Sequence, residues 1–273
     1  MKREINNKQF NIIDTNKANF DLKKINFLKK YNNPIIVEQK QNLKIIEFLD
    51  ENNLNDQLNR EFILKEGSSL EYLRLSNIPE QNTLESNFHM DLQENSKINI
   101  HLFELGSGES TNKLEANLDK NNTDIFINTL IKLNNNSKVF NSFNITHKHP
   151  NTFSDIRAKH LLDDNSKADF EAKALIQNGA NYSKAFQDCK TILLSDNAII
   201  KARPHLEILT DELEASHGAV TGELDKKAIY YLRSRGISEI EAKNILIEAF
   251  YLELIENIQD TNIKSWIKDM IQK

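Results

Sequence analysis

The chain carries one cysteine, one tryptophan, four prolines and seven glycines in 273 residues. A single cysteine excludes an intrachain disulfide and fits a reducing compartment. A lone thiol also cannot build a cysteine-rich zinc or iron–sulfur centre without His, carboxylate or a second chain. So few glycines and prolines argue against a body made of tight two-residue hairpins. No apolar run approaches the about 18 residues that span a bilayer. Met1–Phe10 is polar and lacks the apolar stretch of a signal peptide. The expected location is the cytoplasm, with no membrane contact. A formal net charge of −5 argues against a nucleic-acid partner. No Gly-x-x-x-x-Gly-Lys-Ser/Thr, Gly-x-Gly-x-x-Gly or Gly-x-Ser-x-Gly occurs, so the chain is not itself a P-loop ATPase and lacks two common enzyme signatures.

What is present is a succession of short apolar or alternating runs from Pro34 onward. They include Ile35–Val37, Leu43–Leu49, Glu61–Leu64, Leu70–Leu75, Ile98–Leu105, Ile125–Leu133 and Val139–Ile145. Phe170–Ile176, Thr191–Leu194 and Leu206–Leu209 continue the series. Ile98-Asn-Ile-His-Leu and Phe170-Glu-Ala-Lys-Ala show the period of two that marks strands. Asn-rich turns separate the runs, and Asn-Ser-Lys recurs at Asn95, Asn136 and Asn165. Turns spaced by about 14 residues, or about 28–30 for alternate ones, suit a solenoid whose coils bury their apolar faces by stacking. An antiparallel sandwich with Asn turns reads equally well at this level. The expected organisation is an N-terminal segment over 1–33, with a short helix near Phe20–Lys30, a β core over 34–222 and a helical part over 223–273.

The helical part has an apolar stripe at Leu224, Ala228, Tyr231 and Leu232 that Gly236 terminates as a left-handed cap. Ser238-Glu-Ile-Glu241 reads as a capping box opening a second helix with a wide apolar surface. Ile263, Trp266, Ile267 and Met270 suggest a third. This surface either packs on the β body or docks another protein.

Chemistry-bearing residues are sparse. Cys189, before an apolar strand, reads as an inert buried residue or as a thiolate that holds sulfur or iron. His217, followed by the permissive Gly218, reads as structural or as an iron ligand. They lie 28 residues apart. Coils of that length would set them at about the same point of adjacent coils. Glu207, Asp211, Glu212 and Glu214 read as a solvated acidic edge or as oxygen donors. His147-Lys-His149 reads as a surface strand end, and His160 and His205 carry no companion pattern. Arg233 and Arg235 suit a helix C-terminal dipole or an ion pair.

Five motifs occur in order: Leu193-Leu-Ser-Asp, Pro204-His-Leu-Glu-Ile, Ser216-His-Gly-Ala, Gly222-Glu-Leu-Asp and Tyr231-Leu-Arg-Ser-Arg-Gly-Ile. Together they resemble the SufB/SufD family of iron–sulfur cluster assembly proteins, most closely over Thr152–Ile255. The resemblance implies a mainly β fold, a parallel β-helix core with a small helical C-terminal subdomain. It implies a non-catalytic scaffold that binds a SufC-type ABC ATPase through its C-terminal helices, with Tyr230, Tyr231, Leu232, Arg233, Arg235, Ile245 and Phe250 as candidates. It also implies pairing with a SufB-type subunit, or with a second copy, and a transient iron–sulfur cluster or iron at that interface rather than one held tightly by this chain.

In such a scaffold His217 takes part in assembling the cluster, and Pro204, Glu207, Ser216 and Gly218 are the remaining motif positions. Gly218 is similar to the SufD branch. Ala215 stands where that branch often has Cys, and Cys189 stands where the SufB branch carries its scaffold cysteine. Two other readings stay open: a purely structural partner subunit without cluster ligands, and a carbohydrate-active β-helix enzyme.

Overall fold

The computed structural model describes residues 34–49, 55–256, 258 and 261–272. The helix expected near Phe20–Lys30 lies outside them. Among the described residues fourteen strands follow one another: β1 (Ile35–Val37), β2 (Asn42–Leu49), β3 (Asn55–Leu64), β4 (Ser69–Ile78), β5 (Thr83–Leu92), β6 (Lys97–Gly106), β7 (Glu109–Leu118), β8 (Asp124–Leu133), β9 (Lys138–His147), β10 (Phe153–Leu162), β11 (Lys167–Ile176), β12 (Ser183–Leu193), β13 (Ile199–Ile208) and β14 (Leu213–Gly222). After them the described residues hold three helices: α1 (Lys226–Ser234), α2 (Glu239–Glu256) and α3 (Thr261–Gln272).

Odd strands form one seven-stranded sheet and even strands another, each in strict succession and each pairing parallel. The chain is therefore a parallel β-solenoid with two strands per coil, and the sandwich is excluded. The coil length is set by pairings such as Leu70 with Ile98 and Phe153 with Lys184. Corner residues sit in the left-handed region at Asn95, Asn122, Asn135, Asn151 and Asp164, with φ between 52° and 59°. Asn and Asp tolerate that region best after Gly, which explains a solenoid with so little glycine. Ser96 and Ser137 close their corners by donating to the carbonyls of Gln93 and Asn134, three residues back. Asn122 donates to Asn95 across coils, stacking one corner on the next at 3.0 Å.

Inside the solenoid, Leu70, Tyr72, Phe62, Ile98, Ile125, Phe143 and Phe170 form a continuous apolar core. A buried polar strip runs beside it. Arg74 is fully buried, pairs with Glu104 at 2.5 Å, and donates to Ser86 and Asn112. Asn112 and Asn141 continue the strip to Thr129. At the first coils Arg60 and Tyr72 both bond Glu47.

The outer face of the even-strand sheet is apolar at Leu73, Leu75, Phe103, Leu105, Leu130 and Leu161. There it meets Tyr251, Leu254, Ile255, Ile258, Ile267 and Ile271 of the helical part. Burying each such aliphatic side chain contributes about 1.5–3 kcal/mol, which fixes the second half of α2 on the β body. The first two turns of α2 and all of α1 lie outside this contact, and α1 has no buried residue.

Candidate functional site

Strands β10, β12 and β14 are the last three of their sheet. Their register builds three rows of side chains that face the interior. Ile156, Gln187 and His217 form one row; Ala158, Cys189 and Ala219 the next; His160, Thr191 and Thr221 the third. Parallel partners share a face of the sheet, so His217 and Cys189 both point inward on neighbouring coils. They are offset by two residues along the strand, so their backbones stand about 8 Å apart by strand spacing and rise. The 28-residue spacing therefore places them on adjacent coils, with Gln187 directly under His217.

Their surroundings differ. Cys189 is 1 % exposed because β13 and β14 cover it. Burial pushes its thiol up to about 12, although Thr191 bonds it, so the resting group is a neutral thiol. His217 lies on the last coil and is exposed, since no further coil stacks on it among the described residues.

The histidine that touches Cys189 is His160. Its Nδ1 lies 3.6 Å from Cys189 Sγ and 3.3 Å from Thr191 Oγ1. His160 is fully buried against Phe170, and burial lowers its imidazole to about 4, so it is neutral. In the sequence alone this residue has no companion pattern. The signal was present: 29 residues, one coil, separate His160 from Cys189. The inward phase of β10 was hidden because its outer face, at Lys159 and Leu161, is also buried, by α2.

The strand end at His147 differs from the surface position expected for it. His147 is fully buried at a corner, bonding Thr152 Oγ1 at 2.7 Å and Ser154 Oγ at 2.8 Å. The reason is phase: it is the fifth inward residue of β9, after Val139, Asn141, Phe143 and Ile145. His149 sits in the following turn and is exposed. The acidic residues behave as a solvated edge, Glu207 pairing with Lys173 and Glu214 with Lys184, each at 2.8 Å. Among the described residues no three of His, Cys, Asp and Glu converge on one point.

The remaining motif positions line the open coil. Pro204 stands opposite Ala172 on β13, an end strand of its sheet, which is where a residue without an N–H is tolerated. Ser216 is exposed and Gly218 half-buried on β14.

In the helical part, Asp225 caps α1 by accepting from Lys227 and Ala228. Gly236 takes φ 88° at its end. Ser238 and Glu241 form the expected capping box. Tyr230, Tyr231, Ile240 and Ile245 are exposed at 75, 58, 74 and 44 %. Leu232 is half-buried, Arg233 pairs with Glu239 at 3.1 Å, and Arg235 sits over the Tyr231 ring at 5.3 Å. Phe250 instead packs toward the solenoid, with Lys159 5.0 Å over its ring. A groove of about 910 Å³ runs between the Leu193–Asp196 corner and the helices, lined by Leu224, Ile229, Tyr230, Arg233, Ile240 and Ile247.

The described residues form a parallel β-solenoid that ends in an open, His-bearing coil with a partly uncovered helical appendage. The family described as "SUF system FeS cluster assembly, SufBD core domain" matches residues 22–250, and the chain belongs to that family. The chain is 28% identical over 190 residues to the iron–sulfur cluster assembly protein SufD of Escherichia coli, a match covering 68% of this chain and 45% of that protein. It is 34% identical over 128 residues to SufD of Plasmodium falciparum, covering 46% and 9%. It is 30% identical over 123 residues to a SufBD family protein of Synechocystis, covering 45% and 27%. The matched segment is thus less than half of each of these relatives.

Proposed function

We propose that the chain serves as a SufD-like scaffold subunit in iron–sulfur cluster assembly, with the cluster as cargo rather than as a resident cofactor. The observation that carries this reading is the last coil: His217, in the Ser-His-Gly motif, faces the interior yet is exposed because no further coil stacks on it among the described residues. A SufB-type subunit or a second copy set against β13 and β14 would cover the coil and bring its own ligands beside His217. Iron held there would meet an imidazole nitrogen able to coordinate it, with Gln187 beneath as an amide. One imidazole is too few to keep a cluster, which suits hand-over.

The second role is docking. A SufC-type ABC ATPase would bind the uncovered half of the helical part, at Tyr230, Tyr231 and Ile245 and in the groove beside them. Large exposed aromatic and aliphatic side chains on one short segment are the usual signature of a partner surface. The chain itself then needs no catalytic set.

The test is reconstitution with the cognate ATPase and SufB-type partner. The intact chain is expected to co-purify with the ATPase, Tyr230→Asp with Tyr231→Asp to lose it, and His217→Ala to keep the complex but lower cluster yield. Failure of the intact chain to bind the ATPase, where a known pair binds, overturns the docking role. The burial of Cys189 favours a second reading, a purely structural partner. Unchanged cluster yield in both Cys189→Ala and His217→Ala would establish that reading instead.

A further inference from the structure

Asn178-Gly179 is the single Asn-Gly pair of the chain, and neither the scaffold nor the docking role uses it. It stands in the corner between β11 and β12. Both residues are exposed, Gly179 takes φ 90°, and a Cβ there would meet nothing within 4 Å. Ala180 N closes the turn by donating to the Gln177 carbonyl at 3.1 Å, and Gly179 supplies the positive φ that such a turn asks of its third residue. The Asn-Ser corners are built differently. There the amide that follows Asn is the one that closes the turn. Ser96 donates to Gln93, Ser137 to Asn134 and Ser166 to Asp163, at 3.1–3.2 Å, and each serine is buried. At Asn178 the closing amide lies one residue further on, so the Gly179 N–H takes no part in that bond. We propose that Asn178 is a site of spontaneous deamidation whose product loosens the last coils.

The reaction is intramolecular. The Gly179 backbone nitrogen attacks the Asn178 side-chain carbonyl carbon. The C–N bond of the side-chain amide breaks, its nitrogen takes the Gly179 proton and leaves as ammonia, and a cyclic imide closes. Water then opens the ring at either carbonyl, giving an α-linked aspartate or a β-linked isoaspartate. No oxidant or cofactor enters. Glycine favours the attack because no Cβ crowds its nitrogen and its backbone rotates through conformations closed to other residues. A buried serine held by its amide lacks that freedom. Isoaspartate carries an extra methylene in the main chain, and this corner is fastened on both sides. Ala180, 0 % exposed, packs with Ala174, Ile176 and Ala185. Asn181 accepts from Thr210 at 2.7 Å, and Tyr182 N donates to the Glu212 carbonyl at 2.6 Å. These bonds join the corner to the one between β13 and β14, and the corner leads into β12, the strand of Gln187 and Cys189. Displacing Ala180 leaves a void in its cluster and pulls on both bonds. A carboxylate at 178 without the methylene stays in solvent and leaves them in place.

Nothing in this chemistry depends on the cluster-assembly role. The experiment ages the full folded chain at pH 8 and maps it by trypsin digestion and mass spectrometry. The peptide 174–184 is expected to gain about 1 Da at residue 178, before any gain at Asn95, Asn136 or Asn165. Enzymatic methylation of isoaspartyl groups should label the same peptide. Asn178→Gln should lose both signals. Hydrogen exchange of the aged wild type should show β12 and β14 opening faster than in the fresh protein. Fresh Asn178→Asp, which has the charge without the added methylene, should match the fresh wild type. Three results overturn the site: a folded wild type that stays unmodified at 178 while its denatured chain converts there, earlier conversion at the Asn-Ser corners, or a mass gain that survives Asn178→Gln. Conversion without faster exchange overturns the loosening of the coils.

Discussion

Lys159 and Glu253 form an ion pair of 2.6 Å that ties α2 to the solenoid one residue away from His160. The same ammonium donates to the Phe250 carbonyl at 2.5 Å. Lys159 is 5 % exposed, so its charge is compensated almost entirely by α2. Lys159→Met keeps the stem and removes these bonds. The expected cost is about 1–3 kcal/mol. Hydrogen exchange should show α2 amides opening more readily while β3–β7 stay protected; unchanged α2 protection would contradict the anchoring role.

Arg74 offers a sharper stability test. Arg74→Met leaves Glu104 buried and unpaired, an uncompensated charge that costs about 3–5 kcal/mol. Removing both charges, as Arg74→Met with Glu104→Leu, should recover much of the loss because both sites are then apolar. Denaturant midpoints of the two variants measure the difference. A double variant no more stable than the single would show that the strip is maintained by more than charge pairing.

Three buried histidines set the acid limb of stability. Burial lowers His101, His147 and His160 to about 4 in the folded chain. Unfolded, each titrates near 6.5. Above about pH 6.5 both states are neutral and the sites contribute no pH dependence. Between about 6.5 and 4 the unfolded chain binds protons that the folded chain refuses, so stability falls with falling pH, by up to about 3 kcal/mol per site. Thermal melts across this window should show the loss, and His147→Gln should reduce its slope. An unchanged slope in that variant would mean His147 is not held neutral.

The Cys189 thiol should be inert in the native state. A thiol that is 1 % exposed and pushed up to about 12 presents almost no thiolate at neutral pH. Alkylation at pH 8 is expected to run on the order of a thousandfold slower in the folded protein than in denaturant. Its residual rate should report opening of the last coil, and rise when β14 is weakened by Val220→Pro. Rapid native alkylation would place the thiol at the surface.

Much of this fold is legible in the chain. The alternating runs, the Asn corners and the coil-length spacing identify a stacked β structure, and the five ordered motifs identify which one. The strands that escaped notice, β5, β7, β10 and β14, share a physical cause. Their inward positions include polar residues, Ser86, Asn112, His160 and His217, and these break the apolar alternation by which a strand is read. Ser86 and Asn112 face inward because Arg74 needs them, and Arg74 is itself inward to meet Glu104. No local pattern announces such a network, since its members come from four different strands.

The sequence by itself determined the period, the corner conformations, the helix caps and the placing of His217 on the last coil, because each depends on residues close together in the chain. The tertiary structure decided which inward residues meet. Coils differ by a few residues in their corners, from 26 between Thr83 and Glu109 to 32 between Lys167 and Ile199. That variation shifts the register of every row that follows. It is why Cys189 came to lie against His160, on the coil before it, while His217 came to lie over Gln187.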